Sequence, residues 1–470
     1  MIDEVNQMRS FLNPFVSQKR GLGRSVLITL LFGAAATTVQ AGIPIQHWTQ
    51  ANGVEVFLVE SPAIPMVDVL IEFDGGSRRD PKGQSGLAAA TANLVGLGVK
   101  ASAAGPALDE NQLGEAWADL GAGFGASASG DRLSYSLRTL TDPAQLKPAL
   151  ALAARILTEP SLPAPLWQRE QERWQAALKE SETQPGTVAA KAFGRAVYGD
   201  HPYGQKATAA SLGAIQISDM QAYLKRTLNP CHATATVVGA LSRAQAEAAV
   251  NQLTRGLSPG VNAQAGKDCA SNALPAISGV APLQAAQTLR IPFDSAQAHV
   301  IMGQPGIKRS DPDYFPLLVG NYILGGGGFV SRLTQAVREE RGLSYSVSSG
   351  FSPGLHEGAF SIGLQTRPDQ ADQALKVARE VLDTFLQEGP TEAELQAAKE
   401  NLIGGFPLRI DSNRKLLDNV ANMARHRLPL NYLDTWTQQI QHLTVADVRA
   451  AMVRHLQPNR MVTVLVGAQP

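Results

Sequence analysis

The chain has 470 residues, more than one ordinary hydrophobic core accommodates, so at least two domains are expected. Its 41 Lys and Arg balance 41 Asp and Glu, which argues against nucleic acid as a partner, because that partner would need a basic face. The two cysteines are too few for a metal cluster, and a 44% hydrophobic content is enough for full cores.

Residues 1–41 read as an export signal. Lys19, Arg20 and Arg24 form a basic flank, Val26 to Ala36 is apolar and uncharged, and Val39-Gln40-Ala41 offers small residues where a signal peptidase reads. The apolar run is short of the ~20 residues a spanning helix needs, and no later segment reaches that length. The mature chain is therefore expected to carry no membrane span and to reside in the periplasm, released or held by an uncleaved signal. Cys231 and Cys269 would be free to form a disulfide in such an oxidising compartment, although sequence does not fix their geometry.

The rest of the chain repeats itself. Val69 to Pro81 is similar to Val300 to Pro312; each reads as a strand entering a turn, followed by an apolar helix ending in glycines, Leu87 to Gly98 and Phe315 to Gly328. Later, Ile217 to Pro230 precedes the β-rich run Ala233 to Gly239, just as Val445 to Pro458 precedes Met461 to Gly467. In both, an Asp suited to N-capping (Asp219, Asp447) opens a helix that a Pro stops before a Val/Thr-rich strand. Residues 42–255 and 283–470 are thus predicted to be homologous α+β domains. Residues 256–282 serve as a linker, since this stretch is rich in Gly, Ala, Pro, Ser and Asn and lacks periodicity.

Gly75 to Ala88, His201-Pro-Tyr-Gly204, Asn321 to Leu333 and Arg338 to Tyr345 resemble segments of the pitrilysin/insulinase family of zinc metallopeptidases, which includes the mitochondrial processing peptidase. With the duplication, the resemblance spans nearly the whole mature chain. It implies two domains, each a mostly antiparallel sheet with helices packed on it, forming half of a clam-like chamber. Active members carry His-x-x-Glu-His on a helix after the first segment, two His to hold zinc and a Glu to polarise water, with a further Glu ligand on a later helix. The matching positions here are Ala89, Ala92 and Asn93, and Ala177 on the later helix, with Glu172 and Glu180 nearby. Ala has no ligating atom and Asn is a poor zinc ligand, so the site is read as lost and no metal is expected in this chain. No two of the eight His lie three or four apart, and His201, before Pro202, reads as a structural loop residue.

Active members also have an Arg and a Tyr seven residues apart in the C-terminal half, facing the metal and holding substrate. Arg338 and Tyr345 keep that spacing across a turn that Gly342 is predicted to form. A guanidinium donates to carbonyl oxygens and a phenol to a developing oxyanion. From spacing alone, a surface Arg and a core Tyr is the plainer account; the family-like surroundings support substrate binding. Gly325 to Gly328 lacks the Gly-Lys-[Ser/Thr] of a phosphate loop and reads as a close-packed turn, or as glycines that let a peptide backbone approach. Arg332, Glu339, Glu340 and Arg341 read as a solvated helix end.

The resemblance implies a non-catalytic, substrate-binding subunit of a heterodimer, whose zinc-bearing homologous partner completes the chamber and cleaves peptides or unfolded proteins. The alternative is an inactive scaffold or peptide-binding module. Independent hydrolysis is disfavoured, because neither cysteine lies in a recognisable catalytic setting.

Overall fold

The structure, a computed structural model, describes residues 42–257 and 274–469. The expected export signal, the central part of the expected linker and Cys269 lie outside the described residues; Cys231 sits in the short 3-10 turn Pro230–His232.

The strands, in chain order, are β1 (Ile45–Thr49), β2 (Glu55–Glu60), β3 (Met66–Asp74), β4 (Gly98–Val99), β5 (Leu108–Asp109), β6 (Gly123–Ala128), β7 (Arg132–Leu140), β8 (Ala233–Gly239), β9 (Gln287–Ile291), β10 (Ala298–Pro305), β11 (Ser346–Phe351), β12 (Ala359–Thr366) and β13 (Val462–Val466). β4 and β5 pair as a small hairpin, and the others form two sheets, ordered β1-β2-β8-β3-β7-β6 and β11-β12-β10-β13-β9. Read backwards, the second sheet repeats the last five strands of the first. The correspondence includes one parallel pair in each, β2 with β8 and β9 with β13, while the remaining pairs are antiparallel. The duplication read from sequence is therefore a duplication of topology, and β11 occupies the edge position that β6 holds in the first sheet.

Each sheet is covered on both faces. In β3, Val67, Val69, Ile71 and Phe73 alternate into a core shared with helices Leu87–Leu94, Pro143–Thr158 and Ile217–Thr227. On the opposite face, Phe57, Val59 and Val238 pack against Leu417, Val420 and Met423 of helix Asn413–Arg425, which belongs to the second half. The second sheet receives the reverse loan: Val462, Val464 and Val466 pack against Ala189, Phe193 and Val197 of helix Pro185–Tyr198 from the first half. Close approach there requires glycine at Gly303, where a Cβ would stand 2.0 Å from the Phe360 carbonyl oxygen and 2.9 Å from the Phe193 ring. The limits 42–255 and 283–470 thus describe the two sheets but not two separately closed cores.

Two local expectations are corrected. Asp219 and Asp447 are not N-caps; they stand three residues inside, where their carboxylates accept from the backbone N–H groups of the capping residues Gln216 (2.8 Å) and Thr444 (2.9 Å). The described part of the linker is also bonded rather than free. Pro275 accepts from Arg79 (2.9 Å), the Ser278 oxygen lies 3.1 Å from His201 Nε2, and Val280 donates to Glu357 (2.9 Å).

A polar seam joins the halves. The Tyr203 hydroxyl donates to Asp131 (2.8 Å) and accepts from the His356 N–H (3.2 Å), Arg78 pairs with Asp131 (3.1 Å), and Arg425 pairs with buried Glu72. His201 belongs to this seam, with Nδ1 accepting from the Tyr203 N–H at 3.1 Å, in keeping with a structural role.

Candidate functional site

Helix Leu87–Leu94 packs against β6 and helix Ile217–Thr227. Its inward residues, Leu87, Ala88, Ala90, Thr91 and Ala92, are buried; Ala89 and Asn93, four apart, share its less buried side. The Asn93 carboxamide oxygen has no hydrogen-bond partner. Ala177 is exposed on helix Ala164–Ser181, as are Glu172 and Glu180. Glu170 on that helix is buried but committed to Arg169 (3.1 Å) and Arg173. Three methyl groups and one carboxamide do not fit zinc, and no chemical step runs through a metal at these positions.

Among the described residues, one other group of metal-type side chains comes together: Asp311, Asp313 and His455. The Asp313 carboxylate already pairs with Arg454 and with His455 Nε2 (2.8 Å); burial pushes its carboxyl upward, but the hydrogen bonds from these two side chains and the Arg454 charge hold it below the usual range. That cluster ties helix Val445–His455 to the turn after β10.

The second half assembles a different site. After helix Tyr314–Asn321 the chain widens into a π-turn over Tyr322–Gly326, passes through a 3-10 turn at Gly328–Val330, and enters a second π-turn at Thr334–Glu339. Such turns add a residue to the helical repeat and recur at functional sites. Glycine is required in the first: a Cβ on Gly325 would lie 2.6 Å from the backbone nitrogen of Ser349 in β11. Gly342 (φ +59°) ends the second, its N–H returning to the Arg338 carbonyl at 2.9 Å. The expected close-packed turn and the expected glycine stop are both present.

These turns and β11 enclose a cavity of about 360 Å³ lined by Gly325, Gly326, Phe329, Arg338, Tyr345 and the serines of β11. Arg338 and Tyr345 are brought together: the guanidinium carbon stands 4.5 Å from the Tyr345 ring centre and 4.7 Å from that of Phe329. Tyr345 is 81% exposed and Phe329 67%, so Tyr345 is not a core residue. It precedes the strand, which begins at Ser346. Sequence reasoning missed Phe329; a bulky aromatic inside a glycine-rich turn was the available signal.

Arg332 is not part of a solvated helix end. It clamps Glu394 with two 2.7 Å bonds, donates to the Gly389 carbonyl at 3.0 Å and lies over the Phe385 ring. Glu339, Glu340 and Arg341 are exposed as expected.

Residues 55–210 match the description Insulinase (Peptidase family M16), and residues 214–402 match Peptidase M16 inactive domain. The crystal structure of a peptidase M16 inactive domain from Pseudomonas fluorescens is 34% identical, with a TM-score of 0.82 over 91% of this chain and 98% of that one. The chain belongs to the M16 peptidase family. It is 25% identical to the non-peptidase homolog YmxG of Helicobacter pylori over 94% of this chain and 98% of that protein. The match to an uncharacterized zinc protease of Streptomyces coelicolor is 30% identical but covers only 58% of that protein. The periplasmic protease PqqL of Escherichia coli shares the fold at 19% identity, with a TM-score of 0.76 over 97% of this chain but 49% of its own. Within the M16 family this chain is an inactive peptidase homologue. Among the described residues no helix is long and apolar enough to cross a membrane.

Proposed function

We propose that this chain is the non-catalytic, substrate-holding subunit of a periplasmic M16 peptidase, paired with a zinc-bearing homologue that acts on peptides or unfolded proteins. The observation that carries the proposal is the exposed Arg338–Tyr345 pair, set in a formed cavity in a chain whose zinc-helix positions hold Ala89, Ala92 and Asn93. Substrate-handling groups without a metal to serve make chemical sense when the metal is brought by another chain. The fold comparison supports this, because the chain spans about half of a periplasmic protease that shares its architecture. In the assembled pair, Arg338 donates to a substrate oxygen and the Tyr345 hydroxyl donates to the oxygen that gains negative charge. Zinc belongs to the partner subunit, and this chain binds no cofactor of its own.

The test is a titration of this chain into a fixed amount of its zinc-bearing homologue, with peptide hydrolysis as the readout. The rate is expected to rise and saturate at equimolar mixing, and the Arg338→Ala chain to saturate at a far lower rate. Full activity with Arg338→Ala would remove the assignment. The Helicobacter relative, described as a non-peptidase homolog, favours a second reading as a peptide-binding module without hydrolysis, for which no homologue would gain activity on mixing.

A further inference from the structure

The cavity's charge and geometry identify what part of a peptide it takes. Resting on the reading that Arg338 and Tyr345 hold substrate, we infer that the cavity recognises a peptide carboxylate. Its lining contains one charged side chain, Arg338, among glycines, hydroxyl-bearing residues, Val347 and two aromatic rings. The nearby guanidiniums are committed elsewhere: Arg332 to Glu394 and the Gly389 carbonyl, Arg341 to Glu340 (2.8 Å) and the Ala336 carbonyl (2.9 Å). Arg338 meets one carboxylate, its neighbour Glu339, which stands 3.2 Å from Nε. Its two terminal nitrogens, Nη1 and Nη2, make no hydrogen bond with any described residue.

Aromatic contacts decide how a ligand can approach. Phe329 and Tyr345 both hold the guanidinium through their rings, which fixes the side chain and leaves the donor-bearing edge for the ligand. Two parallel N–H donors on one edge match the two oxygens of a carboxylate, whereas a backbone carbonyl offers only one. The Arg338 side chain is 27% exposed, so its charge is partly withdrawn from water and a carboxylate gains more there than at a free surface. Ser346, Ser348 and Thr334 add hydroxyl donors and no competing negative charge.

The carboxylate can come from a free peptide C-terminus or from an Asp or Glu side chain, and binding to the purified full chain separates the sources. Four decapeptides of one Ala/Ser/Leu sequence, labelled at the N-terminus with an uncharged BODIPY dye, are compared by anisotropy at low salt: a free acid, its C-terminal amide, the amide with an internal Glu, and the amide with an internal Gln. At least one carboxylate-bearing peptide is expected to bind about tenfold or more tightly than its neutral counterpart. That preference should fall below about twofold in Arg338→Gln, with the melting temperature of the variant confirming its fold. A preference for the free acid alone assigns the C-terminus; a preference for the Glu peptide alone assigns an acidic side chain. Equal binding of all four, a preference that survives Arg338→Gln, or no binding would overturn the inference. Charge-independent binding would leave the substrate-holding role standing, since that role is decided by the hydrolysis titration with Arg338→Ala.

Discussion

At Arg338 the chemistry rests on one side chain held by two exposed rings, so removing it should alter function far more than folding. Arg338→Ala is expected to lower kcat/KM of the reconstituted pair by about 10- to 100-fold. Stability should change by less than about 1 kcal/mol, since cation–π contacts at exposed sites are worth about that much. His426 behaves in the opposite way. It is 8% exposed beside Arg425, Arg309 and Arg132, and burial, aided by these cations, lowers its pKa to about 4. A histidine depressed in the folded state from an unfolded value near ~6.5 stabilises fully above that pH and loses its contribution as pH falls toward 4. Asp80, raised to about 6 by burial, acts in the reverse sense and gains stability over the same range. His426→Gln isolates the histidine: relative to the wild type, its urea-unfolding free energy should decline less between pH 6.5 and 4, by roughly 1–3 kcal/mol. The meeting of Arg338 and Tyr345 was legible only through the family-like segment that holds them, since their spacing alone favoured a surface Arg and a core Tyr. Phe329 was not, because its meeting with Arg338 depends on how two turns fold back on one another.

The two π-turns are the elements that build the site. A single substitution should show their dependence on glycine. Gly325→Ala is expected to cost about 1–3 kcal/mol, because the new methyl would meet not only the Ser349 and Leu333 side chains but also the Ser349 backbone nitrogen in β11, which cannot swing away. The same change should weaken peptide binding at Arg338 by displacing β11. Chemical denaturation and anisotropy on one protein sample check both effects. Helix starts and stops were largely legible: Gly342 ends its turn as its sequence position suggests, and Asp447 marks a helix start, although Thr444 is the cap. The π-turns were not, since inserting one residue into a helical repeat leaves the apolar pattern of Tyr322 to Val337 nearly unchanged. Arg332 was misjudged for a related reason. Its partner Glu394 lies 62 residues away on helix Glu392–Gly404, and sequence patterning does not reveal that meeting.

For the whole molecule, the duplication was legible because both halves keep their strand-into-turn and helix-into-strand landmarks. The exchange of helices was not, because similarity shows which segments repeat but not which sheet each covers. Helices Pro185–Tyr198 and Asn413–Arg425 each close the other half's sheet, so neither half has a complete core. Fragments 42–257 and 274–470 are expected to be insoluble or loosely packed when expressed singly and to fold as a complex when expressed together. Two-dimensional NMR of each fragment and of the mixture checks this; a well-dispersed spectrum from either fragment alone would contradict it. The proposed function rests on an asymmetry between the same halves: Ala89, Ala92 and Asn93 on a helix of the first, and the exposed Arg338–Tyr345 pair in the second. The most direct test of that asymmetry is to measure zinc content and peptide hydrolysis of the purified chain, first alone and then mixed with its zinc-bearing homologue. The expected result is no bound zinc and no hydrolysis alone, with hydrolysis above the homologue's own rate on mixing. Stoichiometric zinc with hydrolysis by the chain alone would contradict the account.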